Sequence, residues 1–283
     1  MQAVAPVLVA ELFPEVDRAL VELLRGLTAE QWDVPTVCAG WSVKDVALHL
    51  LGGDLGNLSR RRDGVANPLA AYAPPGADFS DNAVLVAALG RWNEGWVEAT
   101  RRLSPRVICD LFAAVAPEVH AYYASLDPLA LGGPVTWAGS GPAPVWLDIA
   151  REYTEHWAHQ AQIRDALGLP ALQSRRLYAP VLAAYMHALP HTLRDVAAPE
   201  GTTLRVVITG EAGGEWVAVR EGAGWVLGGD PARPAQATAT LDQDAAWRLF
   251  TRGLGDEAAE RAVRVEGDAA LAGAVRRMVA IIA

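Results

Sequence analysis

A chain of 283 residues, 52% hydrophobic and 20% charged, has the composition of a water-soluble globular protein, and its length favours two domains over one core. No apolar run approaches the roughly 18–20 residues of a membrane span, and an N-terminus acidic at Glu11 and Glu15 lacks signal-peptide form, so no membrane partner and a cytoplasmic location are expected. The net charge of −9 argues against nucleic acid, and the Arg60-Arg61-Arg62 run reads as a solvated helix end.

Leu8, Leu12, Val16, Leu20, Leu23 and Leu27 recur at helical spacing and predict a first amphipathic helix ending near 26–28. After a loop with Pro35 and Gly40, Ser42 followed by Asp45 predicts a capping box, with Trp41 and Val46 placed for a hydrophobic staple. His49 then lies about two turns into that helix. Pro68, Pro74, Pro75 and Gly76 make residues 63–80 a loop. A long helical region is expected from Asp81 to Ser125, bent at Pro105. A Gly/Pro segment, 132–144, precedes a helix from Pro144 to Leu167 that stops at Gly168-Leu169-Pro170.

Beyond Pro170 one helix is expected over 174–196. Short strands follow at 204–209, 215–220, 224–227 and 236–241, with Gly213-Gly214 and residues 221–224 as hairpin turns. Helices at 242–252 and 268–282 close the chain. The fold expected is an all-α four-helix bundle over 1–170 followed by a small α+β domain over 171–283.

The chemistry concentrates in Arg151-Glu-Tyr-Thr-Glu-His-Trp-Ala-His-Gln-Ala-Gln-Ile-Arg164. Glu155 and His159, four apart, share a helix face, and a histidine from another helix, such as His49, would complete a two-His, one-carboxylate metal site with open positions. Glu152, Glu155, His156 and His159 all fall on one arc, so Glu152 with His156, or His156 with His159, are equally allowed by spacing. The bland reading of Glu155 and His159 is a surface pair worth about 0.2–0.5 kcal/mol.

The run Gly40-Trp-Ser-Val-Lys-Asp-Val-Ala-Leu-His49-Leu50 resembles the metal-binding N-terminal domain of the mycothiol-dependent maleylpyruvate isomerase family, within the DinB-like four-helix metalloproteins. The run Glu155-His-Trp-Ala-His159-Gln-Ala-Gln162-Ile163 is similar to that superfamily's last-helix motif. The resemblance implies His49, Glu155 and His159 as the ligands and disfavours Glu152 and His156. The isomerase family more often carries Asp where Gln162 stands. The resemblance spans roughly residues 5–170, and Arg264 to Met278 resembles the sterol-carrier-like C-terminal domain that accompanies the family.

The implied cofactors are a divalent metal, zinc being best suited to imidazole and carboxylate, and a low-molecular-weight thiol such as mycothiol. The implied reaction is S-transfer to a small electrophile or its cis–trans isomerisation, by a monomer or homodimer. Lys44 is the sole lysine among many arginines, a bias of high-GC genomes compatible with mycothiol. Trp41 and Trp157 are candidates to shape the pocket, and Arg151 to bind a carboxylate. Cys38 reads as a small hydrophobe and Cys109 as core. His187 and His191, separated by Pro190, read as structural or solvent-facing, and His120 has no identifiable partner. Two alternatives stand beside this reading: metal-dependent hydrolysis or lyase chemistry without thiol, and a non-catalytic carrier of an apolar ligand with a structural metal.

Overall fold

The structure, a computed structural model, describes residues 4–79, 81–229 and 234–280. It divides into a helical unit, Ala10–Leu126 with Glu155–Ala171, and a sheet-bearing unit made of the other described residues. The division expected at 170/171 differs from this grouping, which puts residues 4–9 and 127–154 with the sheet. Local contacts give the reason: Leu131 bridges to Pro144, and the Tyr153 hydroxyl donates to the Leu177 carbonyl at 3.0 Å.

The helical unit contains α1 (Phe13–Arg25), the one-turn α2 (Ala29–Trp32), α3 (Val43–Asn57), α4 (Asn82–Thr100), α5 (Pro105–Ser125) and the second half of α6 (Val145–Ala166). α1 begins with Pro14 in its first turn and buries Phe13, Val16, Leu20 and Leu24. Leu8, expected in that helix, precedes it and is exposed. α3 opens with the full capping box: the Ser42 hydroxyl accepts from the Asp45 amide while the Asp45 carboxylate accepts from the Ser42 amide. Its last turn passes into a π-helical turn, Leu58–Arg62, that carries the arginine run. There Arg62 pairs with Asp63 and Glu118, and Arg60 lies 4.5 Å over the Trp92 ring.

The single bent helix expected over 81–125 is two helices. Ser104 caps α5 by accepting from the Val107 amide, and Pro105 occupies a first-turn position where its missing donor costs nothing. The proline thus starts a helix rather than bending one. The core joins Leu20, Leu24, Val46, Leu50, Phe112 and Ile163 from α1, α3, α5 and α6.

In the sheet-bearing unit, α7 (Arg175–Met186) and α8 (Leu189–Thr192) replace the one helix expected over 174–196. Five strands follow: β1 (Thr203–Thr209), β2 (Gly214–Glu221), β3 (Gly224–Leu227), β4 (Ala237–Asp242) and β5 (Arg264–Gly267). Their order is β3-β2-β1-β4-β5, with β1 and β4 parallel and the other pairs antiparallel. Alternation is clear in the central pair, where Leu204, Val206, Ile208, Ala237, Ala239 and Leu241 are buried. The first hairpin needs Gly213, because a Cβ there would sit 2.1 Å from the Ile208 carbonyl oxygen.

Asp242 caps α9 (Gln243–Phe250), which is followed by α10 (Asp256–Ala262) and α11 (Ala269–Gly273). β5 and α10 are absent from the expected elements. The terminal helix expected over 268–282 is only α11 and a 3-10 turn, Ala274–Arg277, and its last residues lie outside those described. No helix among the described residues is long and apolar enough to cross a membrane.

Candidate metal centre

The loop before α3 is tied across its base by a bridge between Pro35 and Ser42 and by Thr36 donating its amide to the Trp41 carbonyl at 2.9 Å. This holds Cys38 and Trp41 beside the start of α3. Asp45 is doubly engaged, accepting from the Arg101 Nε at 2.8 Å as well as from Ser42, so the first turn of α3 is anchored at both ends. With Val46, Ala47, Leu48 and Leu50 packed inward, the helix places His49 on the side facing the C-terminal half of α6.

There His49, Glu155 and His159 converge, with one ligand atom from each lying within 4.8 Å of the others. His159 Nε2 is 3.2 Å from a Glu155 oxygen, and the two imidazole rings stand nearly perpendicular with centroids 4.8 Å apart. Metal–ligand bonds of about 2.0–2.1 Å give tetrahedral edges near 3.3 Å, so these side chains need to close by only about 1.5 Å at most. The other face of His159 is also occupied. Its Nδ1 lies 2.7 Å from Gln162 Oε1, an oxygen to which the Cys38 thiol also donates at 3.2 Å. A proton held on Nδ1 by Gln162 makes Nε2 the atom free to ligate.

The electrostatics agree with a cation site. Burial, and after it the positive charge of His159, together hold the His49 imidazole down to about 3, so its lone pair is available. Burial also opposes charge on His159, but contacts with Cys38 and Glu155 outweigh it and raise that imidazole to about 10. The surroundings of Glu155 and His159 thus favour a positive charge at the place a metal ion would supply it. Two imidazoles and a carboxylate, one imidazole neutral and the other oriented through its far nitrogen, fit a divalent ion.

The rival ligands are committed elsewhere. His156 is buried between two carboxylates, Nδ1 at 2.6 Å from Asp17 and Nε2 at 3.1 Å from Asp54. Glu152 pairs with Arg151, which also donates to Asp148 at 2.9 Å. Arg151 therefore arrives with its guanidinium already engaged. Trp157 is 1% exposed and packs rather than presenting a face to a pocket. Trp41 does border the triad, its ring centroid 5.1 Å from that of His49 and its Nε1 donating to Glu94 at 2.7 Å.

Three sequence expectations need correction. His120 has a partner: its Nε2 lies 2.6 Å from Asp17, so α1, α3, α5 and α6 meet in one buried carboxylate–histidine cluster. Cys38 is half-buried and hydrogen-bonded to Gln162 rather than an inert packing atom. The one helix expected over 174–196 is interrupted between His187 and His191, since α7 ends before the first and the second lies in α8. Asp17 carried a readable signal, a carboxylate between Val16 and Leu20 on the apolar stripe of α1.

Residues 13–164 match the family model described as the mycothiol maleylpyruvate isomerase N-terminal domain. Among solved structures, a crystal structure of a mycothiol-dependent maleylpyruvate isomerase is similar with a TM-score of 0.52 at 12% identity, covering 91% of each chain. A histidine-to-alanine mutant of such an isomerase gives a TM-score of 0.51 at 13% identity over the same shares. At these identities the structural likeness speaks for the fold alone. No curated protein matches the chain in sequence.

Proposed function

We propose a metal-assisted thiol chemistry from one premise: this chain belongs to the mycothiol maleylpyruvate isomerase N-terminal-domain family. The proposed enzyme binds a divalent ion, zinc by preference, through His49, Glu155 and His159, and uses a low-molecular-weight thiol of the mycothiol type. Its reaction is addition of that thiol to an electrophilic carbon of a small molecule, ending either as S-transfer or as cis–trans isomerisation. The observation that carries the reading is the convergence of the three ligand atoms, with His159 oriented from behind by Gln162.

A divalent ion in this donor set supplies a Lewis acid that lowers the pKa of a neighbouring thiol and makes a thiolate available near neutral pH. The chain's own groups prepare the place. Glu155 offers the negative charge, His49 a neutral nitrogen, and Gln162 fixes the His159 ring by accepting a hydrogen bond from its Nδ1–H. Trp41, tied by Glu94, walls the side of His49 and offers an aromatic surface to the thiol or the electrophile. Arg151 and Trp157 are left out of the proposed binding set, the one for its two carboxylate partners and the other for its burial.

Metal stoichiometry tests the ligand set. Wild type retains about one ion per chain after dialysis, and His49→Ala, Glu155→Ala and His159→Ala each lose it, whereas the half-exposed His191→Ala retains it. Metal retained in any of the first three variants rejects the set. His156→Ala, which the family resemblance would suggest as the control, is unsuitable because it removes an imidazole shared by two buried carboxylates. A thiol panel then tests the chemistry: conversion of an electrophile must depend on added thiol. Equal turnover by dialysed enzyme without any thiol assigns the centre to hydrolysis instead.

A further inference from the structure

We infer that the sheet-bearing unit carries a second ligand site: a cleft for a neutral, mainly apolar small molecule that presents one hydrogen-bonding group to His187. The cleft has a volume of about 600 Å³ and lies among the loop before α6, α8 and β3. That is within the roughly 300–1,000 Å³ of small-molecule sites. Its walls include Val135, Ala138, Pro142, Leu147, Trp225 and Leu227, and no charged side chain among the described residues lines it. The single polar atom of Trp225 is already used, its Nε1 donating to the Val196 carbonyl at 3.0 Å, so the indole offers only its ring.

His187 is the exception in this lining. Its ring stands edge-on to Trp146 with centroids 5.0 Å apart, which fixes its orientation. Its Nε2 is buried and has no hydrogen-bond partner among the described residues. Native proteins rarely leave such an atom unpaired, and a ligand hydroxyl or carbonyl in the cleft would satisfy it. Burial also holds this imidazole down to about 4, so at neutral pH it offers a single hydrogen bond rather than a charge. Apolar walls and one neutral polar contact select a neutral ligand over an anion, because nothing in the lining compensates a buried charge. None of the metal-centre residues lines this cleft, so the inference stands apart from the function proposed above.

The test uses the full-length protein and three probes: 2-naphthol, naphthalene and 2-naphthoate, followed by backbone-amide NMR shifts. The expected result is saturable one-site binding of 2-naphthol, with shifts in residues 135–147 and 224–227. Naphthalene binds about threefold to tenfold more weakly, the worth of one net hydrogen bond. His187→Phe equalises the two, and Ala138→Trp abolishes both while the bound metal is unchanged. Absence of saturable shifts in those segments, a naphthol preference that survives His187→Phe, or naphthoate binding as tightly as naphthol would each overturn the assignment. Should His187→Phe not fold, the wild-type Nε2 nitrogen shift decides: it moves with 2-naphthol and not with naphthalene.

Discussion

Replacing His156 by Leu removes the imidazole that bridges Asp17 and Asp54. The two carboxylates are 5% and 1% exposed, so water cannot take over the role of the imidazole. His156 is held well above the ordinary histidine range: burial opposes its charge, but the flanking Asp17 and Asp54 prevail. The cluster is therefore ionic, and breaking a buried ionic pair by deleting one partner costs about 3–5 kcal/mol. Against a typical total of roughly 5–15 kcal/mol, that is a large part of the stability of the helical unit. The assay is urea unfolding of metal-free protein by tryptophan fluorescence, with far-UV circular dichroism as a second probe, so that bound metal does not contribute by mass action. Adding Asp17→Asn and Asp54→Asn to His156→Leu is expected to recover at least half of the loss, since the uncompensated charges are then gone. A loss below about 1 kcal/mol for His156→Leu alone, or no recovery in the triple variant, would refute the ionic description of this cluster.

Gln162→Leu leaves all three proposed ligands in place but removes the acceptor for His159 Nδ1, so metal affinity falls about 10–100-fold in chelator competition. Unchanged affinity would remove Gln162 from any positioning role. Asp17 is held near 2: burial alone would raise it, but His156 and His120 together prevail, against an ordinary value of 3.8. A depressed carboxylate contributes stability above its unfolded pKa and loses it as pH falls through its folded one, so about 2 kcal/mol should disappear between pH 4 and pH 2. Asp17→Asn should lack that component in acid titrations followed by circular dichroism. Ser42→Ala breaks the capping box that starts α3 and should cost about 1 kcal/mol in chemical unfolding without altering metal stoichiometry.

Local chemistry was legible in the chain before folding was considered. The Ser42–Asp45 box starts α3 as its residues require, and Gly168, at φ +68, provides the left-handed residue after α6. The first four strands and both hairpins follow from alternation and glycine pairs, each within a residue or so of its expected ends. Errors fell where neighbours in sequence permit two outcomes. Pro105 can bend a helix or begin one, and only the Ser104 cap and the packing of α5 against α1 and α3 select the second. Short elements such as β5 and α10 have too little periodicity of their own, and β5 exists because β4 offers it an edge.

The site divides in the same way. Four-residue spacing put Glu155 and His159 on one face of α6, a property of the helix that needs no partner. It could not choose between that pair and His156, because the choice depends on what each face meets. His156 meets Asp17 and Asp54, 139 and 102 residues distant, and Cys38 reaches Gln162 across 124 residues. Helix periodicity is set by neighbouring backbone units, so the chain alone determined which side chains travel together. Which of them share a buried charge and which stand ready to hold a cation was decided only when the other helices closed around α6.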